Sequence, residues 1–282
     1  MQTEQFQLHA EIEQRHWWFV ARRQIVRRLV ESVLPPGADH TVIDVGCGTG
    51  ANIASLADSY RTIGIDTSAE AIELARQRFP QVEFHCGYAP RDLGDRFADA
   101  DLVMLNDVLE HVPDDFELLS SLLSAAKPGA YFLITVPADM ALWSPHDVAF
   151  GHYRRYDLAQ FRQIWNQLPV TELLVSPFNR RLYPVVKWIR TRNRRRGESS
   201  GASGTDFTIP ASPLNALLRT VFQSEGSGLV RGLRRGHAAA DGQGVSLLAI
   251  LRREPGRVKV APSTAGAPSS EADAIESLAG HA

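Results

Sequence analysis

The ten residues from Thr41 to Gly50, Thr-Val-Ile-Asp-Val-Gly-Cys-Gly-Thr-Gly, constrain the fold of this chain more than any other stretch. Val42, Ile43 and Val45 form a short β-branched run that reads as a buried strand. Gly46, Gly48 and Gly50 then punctuate a turn before an apolar helical pattern begins. Strand, glycine turn and helix make a nucleotide-type site, because backbone without Cβ atoms turns tightly and lets a ligand lie against the N–H groups at the helix start. The spacing is G-x-G-x-G, not G-x-G-x-x-G, and a glycine turn by itself is equally an ordinary strand-to-helix connection. Two acids sharpen the reading. Asp44 stands just before the turn, and Asp66 closes a second strand, Thr62 to Ile65, at roughly the 20-residue offset at which an acid meets a ribose.

Three segments, Asp44-Val-Gly-Cys-Gly-Thr-Gly, Gly64-Ile-Asp66-Thr-Ser and Asn106-Asp-Val-Leu-Glu-His111-Val, together resemble a class I S-adenosylmethionine-dependent methyltransferase of the small-molecule, quinone O-methyltransferase-like type. The resemblance is specific from about Val42 to Pro137. It implies an α/β fold, a doubly wound, mostly parallel seven-stranded sheet of the Rossmann-like methyltransferase kind, with an N-terminal helical cap and a C-terminal insertion. It implies S-adenosyl-L-methionine as cofactor, held by Arg22, Asp44, Gly46, Cys47, Gly48, Gly50, Asp66, Thr67, Tyr88, Asn106 and Asp107. In such proteins an N-terminal segment closes over the cofactor and can offer an arginine to its carboxylate; Arg22 and Arg23 both stand there. The turn after the third strand often carries an acid that contacts adenine. Here Tyr88 takes that place, with the backbone or Asp92 as the other sources of the contact.

The chain is 282 residues long and 44% hydrophobic, enough for one large α/β domain with extensions. The expected division is a cap over 1–38, a methyltransferase domain over 39–253 with an insertion at 178–244, and a disordered Pro/Ala/Ser/Gly-rich tail over 254–282. A net charge of -2 supplies no positive field for nucleic acid. Two cysteines, Cys47 and Cys86, are too few for a disulfide framework and point to a reducing cytoplasm. Met1 to Ala10 lacks an apolar signal region, and no run approaches the ~18 apolar residues of a span.

In chain order, His16 to Leu34 has helical spacing and is stopped by Pro35-Pro36-Gly37. Strands are expected at Tyr60–Asp66, Val82–Cys86, Ala100–Leu105, Ala130–Val136, Val170–Ser176 and Val245–Leu251, with helices at Ala69–Phe79, Phe116–Ala126, Leu158–Leu168 and Pro213–Phe222. Carboxyl ends of strands gather ligands in such sheets, so Asp44, Asp66, Tyr88 and Asn106 should converge on one crevice. Pro137 to Asp157 has no clean period and reads as an acceptor-site loop, in which Trp143 and Tyr156 wall an apolar acceptor while His152 and Arg155 hold its polar end. Arg181 to Arg196 joins an apolar start to five arginines, as in a lid helix with solvated arginines or a segment in peripheral contact with an anionic membrane or a lipid-linked acceptor. A Gly/Ser linker follows it, and Arg231 to Gly244 reads as a basic, glycine-rich loop.

Methyl transfer from a sulfonium is an in-line displacement, so holding donor and acceptor close supplies much of the rate. The expected catalytic residues are His152, His111 and Arg155, with His146 a further candidate base, acting on a small-molecule acceptor. Asp107, Glu110 and His111 stand at i, i+3 and i+4 and resemble an acid-acid-His magnesium site, but Asp107 is shorter than the glutamate found there, and the expectation is no metal. The rivals are a dinucleotide oxidoreductase, disfavoured by the glycine spacing, and a cofactor-binding or assembly module that transfers no methyl group.

Overall fold

The computed structural model describes residue 7 and residues 10–196, 208–236 and 242–258. Its centre is a seven-stranded sheet in the order β3-β2-β1-β4-β5-β7-β6, formed by β1 Thr41–Val45, β2 Arg61–Asp66, β3 Glu83–Cys86, β4 Leu102–Asn106, β5 Tyr131–Pro137, β6 Val170–Phe178 and β7 Ser246–Arg253. Strands β1 to β5 pair in parallel, and β7 runs antiparallel between β5 and β6. The chain winds outward from β1 through β2 and β3, then returns to β1's other side with β4. That reversal between β1 and β4 is the switch point at which such sheets open a crevice at their carboxyl edge.

Side chains alternate along each strand between two cores. Ile43, Val45, Val103, Leu105, Phe132, Ile134 and Val136 face one core, closed by Leu119, Leu122, Leu123, Phe161 and Trp165. Val42, Leu102, Met104, Leu133, Leu248 and Ile250 face the other. Strands buried on both faces explain why these segments read as continuous apolar runs without alternation.

The second core is closed by α1, Trp17–Val33, whose buried stripe of Ala21, Ile25, Val26, Leu29 and Val30 follows the helical period. His16 caps it, its Nδ1 accepting from the Trp18 N–H at 3.3 Å. Helix α1 packs against two helices of the insertion, Ser212–Gln223 and Gly226–Arg234, with Trp17 edge-on to Phe222 at 6.1 Å. The cap and the insertion therefore share one layer over the sheet. Residues 231–234, expected in a loop, continue the second of these helices, because Leu229, Val230 and Leu233 keep an apolar face against the core. The helix expected from Phe116 begins at Asp115 because Asp114 accepts the Glu117 N–H at 2.8 Å, an N-cap. The linker after Arg196 and nearly all of the expected tail lie outside the described residues. Among those described, no helix is long and apolar enough to cross a membrane.

Leu133 is fully buried on the central strand β5. Leu133→Ala should lower unfolding free energy by about 3 kcal/mol in urea titration. A change under about 1 kcal/mol would show that the second core is not closed as described.

Candidate functional site

The glycine turn is held to β2 by its own backbone and by one carboxylate. The N–H groups of Gly46 and Cys47 donate to the Ile65 carbonyl at 2.8 and 3.1 Å. Asp66 accepts from the Gly48 N–H at 2.8 Å through one oxygen and from the Ser68 N–H at 2.9 Å through the other. Gly46 has φ +69°, and a Cβ there would stand 2.7 Å from Val108 Cγ2; Gly50 has φ +87° and would meet Phe84 at 2.7 Å. Gly48, at φ +53°, has open space where its Cβ would lie. Cys47 is buried with its thiol against Gly64, so only its backbone faces the turn.

Asp44 and Asn106 end neighbouring strands and meet in the crevice, where the Asn106 Nδ2 donates to Asp44 Oδ1 at 3.1 Å. Asp44 Oδ2 and Asn106 Oδ1 are buried acceptors with no hydrogen-bond partner among the described residues. Burial pushes the Asp44 carboxyl up to about 7, with Asp66 adding to the rise and Asn106 and Arg22 opposing it. Orphaned acceptors beside a glycine turn fit a ligand that brings donors, such as the ammonium of S-adenosylmethionine.

Of the two candidate arginines, Arg22 reaches the crevice. It is buried, donates to Thr135 Oγ1 at 2.6 Å, pairs with Asp107 Oδ2 at 2.8 Å and lies 4.7 Å over the Trp18 ring. Arg23 instead donates to the Glu13 carbonyl at 3.3 Å. Glu13 bonds Thr49 Oγ1 at 2.9 Å and Arg78, latching the N-terminal segment onto the glycine turn. Thr67 is exposed just past β2, and Tyr88 is 62% exposed at the rim, with its N–H donating to Asp92 Oδ2 at 2.8 Å. Sequence reasoning missed Thr135, Glu13, Thr49 and Arg78. Only Thr135 left a signal, a lone hydroxyl inside an apolar strand.

Beyond β4 and β5 lies a second group. His111 and His152 meet edge to face with centroids 4.6 Å apart, and Glu110 is fully buried beside them. Burial lowers the His111 ring to about 4, with His152 pushing the same way and Asp107 opposing. Burial and the charge of Asp107 raise the Glu110 carboxyl well above its usual range. The Tyr153 N–H donates to the Glu110 carbonyl at 2.8 Å and joins the two segments. The expected helix face of Asp107, Glu110 and His111 does not form: Asp107 sits at φ +57° outside a single 3-10 turn, Leu109–His111, and its carboxylate is engaged by Arg22 and Thr135.

The loop after β5 is ordered around Asp147, which sequence reasoning passed over. This fully buried carboxylate bonds His152 Nδ1 at 2.9 Å, Arg155 Nε at 2.8 Å and the Ser144 N–H at 2.8 Å, the last within a capping box that starts a short helix, Pro145–Ala149. Arg155 also donates to the Ala138 carbonyl at 3.0 Å, so its guanidinium holds the loop to the end of β5. Tyr156 is likewise corrected: it is buried in the core, its hydroxyl donating to Asp115 Oδ2 at 2.8 Å. The helix Tyr183–Arg196 clasps the same loop. Arg190 donates to the Leu142 carbonyl at 2.5 Å, and Arg194 to those of Ala141 and Trp143 at 2.5 and 3.2 Å, so these arginines do not simply face water. Val185, Trp188 and Ile189 remain exposed. An open groove of about 510 Å³ is lined by Asp115, Arg154, Arg155, Tyr156 and Gln163 and gathers none of the residues around the glycine turn.

A family model described as a methyltransferase domain matches residues 16–170, more than half of the chain. This chain belongs to that family, the class I S-adenosylmethionine-dependent methyltransferases. The match covers every crevice residue named above except Glu13. Trans-aconitate 2-methyltransferase of Azoarcus sp. is 33% identical over 132 residues, 44% of this chain and 50% of that protein. The enzyme of the same name from Rhodopseudomonas palustris is 30% identical over 158 residues, 52% of this chain and 59% of the relative. The chain thus spans about half the length of the curated relatives it matches. Among solved structures, geranyl diphosphate C-methyltransferase from Streptomyces coelicolor superposes with TM-score 0.50 at 14% identity, covering 82% of this chain and 78% of its own. The 4+2 cyclase SpnF superposes with TM-score 0.52 at 16% identity, covering 85% and 84%. At those identities the likeness is one of fold alone.

The position of Asp44 makes this methyltransferase domain sensitive to pH. Its folded-state value of about 7 lies above the ordinary 3.8, so the stability linked to its proton is fully present below about pH 4 and is lost as pH rises through about 7. Asp44→Asn keeps the Asn106 bond and removes the titration. In urea unfolding without cofactor it should be more stable than the parent by on the order of 4 kcal/mol at pH 8 and equal to it at pH 4. The same difference at both values would contradict the assignment.

Proposed function

We propose that this protein transfers a methyl group from S-adenosylmethionine to an oxygen of a small carboxylate- or hydroxyl-bearing acceptor. The observation that carries the reading is the convergence of Asp44, Asp66 and Asn106 on one glycine turn at the carboxyl edge of β1, β2 and β4. Family membership names the cofactor. The relatives named for trans-aconitate, a carboxylate, favour oxygen over nitrogen as the acceptor atom.

When bound, the cofactor supplies an electrophilic methyl on a sulfonium. The acceptor oxygen forms the new C–O bond as the S–C bond breaks, and S-adenosylhomocysteine leaves. A carboxylate acceptor carries no proton to lose, whereas a hydroxyl acceptor would give its proton to solvent or to the imidazole of His152 or His111. Asp66 would take the ribose hydroxyls, since each of its oxygens keeps a lone pair beyond the bond it already accepts. Asp44 and Asn106 would take the ammonium. Arg22 would exchange Asp107 for the cofactor's carboxylate, a like-for-like trade of one charged partner for another. His152 and His111, which meet beyond β4 and β5, would serve the acceptor and not the cofactor.

Asp66→Ala should lose roughly 1.5–3 kcal/mol of S-adenosylmethionine binding by calorimetry, and wild-type affinity would refute the ribose assignment. His152→Ala should leave cofactor affinity within about twofold of wild type while lowering turnover at least tenfold. To find the acceptor, labelled S-adenosylmethionine is mixed with cell extract. An active enzyme makes S-adenosylhomocysteine and a methylated product resolvable by mass. Tight cofactor binding with no product under any extract would support the module that transfers no methyl group.

A further inference from the structure

Glu110, His111 and His152 each bring one ligand atom to within 4.8 Å of the others. Glu110 is fully buried, and neither of its carboxylate oxygens has a hydrogen-bond partner among the described residues. A carboxyl group left in that state is costly, and a buried charge is ordinarily paired or bound to a metal. The charges of Arg22 and Arg155 act on it without a hydrogen bond, Arg22 being engaged by Asp107 and Thr135 in this structure.

The two imidazoles are placed as ligands are. His152 directs Nδ1 to Asp147 Oδ1 at 2.9 Å, which leaves Nε2 as its ligand atom. A carboxylate behind the ligating histidine is the usual device for fixing its tautomer and orientation. Asp147 is itself held by Arg155 Nε at 2.8 Å and the Ser144 N–H at 2.8 Å, so the support is rigid. His111 stands edge-on to His152, the planes at 86°. The backbone bond from the Tyr153 N–H to the Glu110 carbonyl, 2.8 Å, ties the segments together.

We propose that Glu110, His111 and His152 bind one divalent transition-metal ion, with Asp147 as the supporting carboxylate behind His152. Two imidazoles and one carboxylate suit zinc, cobalt, manganese or iron(II) and leave at least one coordination position open. Ligand atoms about 2.1 Å from a tetrahedral ion stand about 3.4 Å apart, so an ion would draw together atoms that here lie within 4.8 Å of one another. This set differs from the acid-acid-His arrangement of Asp107, Glu110 and His111 in taking His152 in place of Asp107, which pairs with Arg22 in this structure. An acceptor oxygen would complete the shell of such an ion, and both histidines would then act as ligands rather than bases. That use rests on the methyl-transfer reading, whereas occupancy of the site does not.

The full chain, stripped with a chelator, is titrated with Zn²⁺ by calorimetry and with Co²⁺ by visible d–d absorption. One ion per chain is expected. Glu110→Gln and His152→Ala should each weaken Zn²⁺ binding at least 100-fold, and Asp147→Asn about tenfold. His85→Ala, a histidine on the far strand β3, should change nothing. Retained S-adenosylmethionine affinity in each variant shows that the crevice is folded. Absence of saturable binding, or wild-type affinity in both Glu110→Gln and His152→Ala, would overturn the proposal while leaving the cofactor reading intact. Loss of cofactor binding with one ion still bound would do the reverse.

Discussion

The bond from the Gly48 N–H to Asp66 is the contact on which the site depends. A glycine turn between β1 and its helix has many backbone conformations open to it. The Asp66 carboxylate and the Ile65 carbonyl select one by taking the N–H groups of Gly48, Gly46 and Cys47. That ties the end of β1 to the end of β2, and the β1–β4 pairing carries the same edge to Asn106. Close packing at Gly46 and Gly50 fixes the turn, while the space at Gly48 stays open.

Two separate polar systems grow from this edge. On the cofactor side, Asp44 and Asn106 hold unpartnered acceptors, and Arg22 crosses from α1 to Thr135 and Asp107. On the other side, Asp147 organises the loop after β5 and brings His152 to His111 and Glu110. Asp107 lies between them, bonded to the first and acting electrostatically on the second. The helix Tyr183–Arg196 closes the far side by donating arginine N–H groups to loop carbonyls.

The fold was legible because its signals are local. The parallel strands are short apolar runs, β1, β2 and β4 carrying Asp44, Asp66 and Asn106 at or next to their ends, and the helices Ala69–Arg78 and Asp115–Ala125 each start at a side-chain cap. The cofactor residues Asp44, Asp66 and Asn106 were legible for the same reason, since a strand end is a fixed place in this topology. What the sequence withheld depends on long-range partners. Nothing near Glu13 announces that it bonds Thr49 and Arg78, far along the chain. Arg155 and Tyr156 read as ligand contacts because exposed and buried polar residues look alike in one dimension. Asp147 and Asp115, which claim them, lie outside any recognisable motif. The i, i+3, i+4 spacing of Asp107, Glu110 and His111 presupposed a helix that a positive φ at Asp107 forbids.

The central claim is that the carboxyl edge of β1, β2 and β4 is an S-adenosylmethionine site. A crystal structure of the chain with S-adenosylhomocysteine tests it most directly. The account predicts density along the Gly46–Gly50 turn, ribose hydroxyls on Asp66, and Arg22 released from Asp107 to the ligand's carboxylate. A ligand bound elsewhere, or an Arg22–Asp107 pair intact beneath a fully occupied ligand, would contradict it.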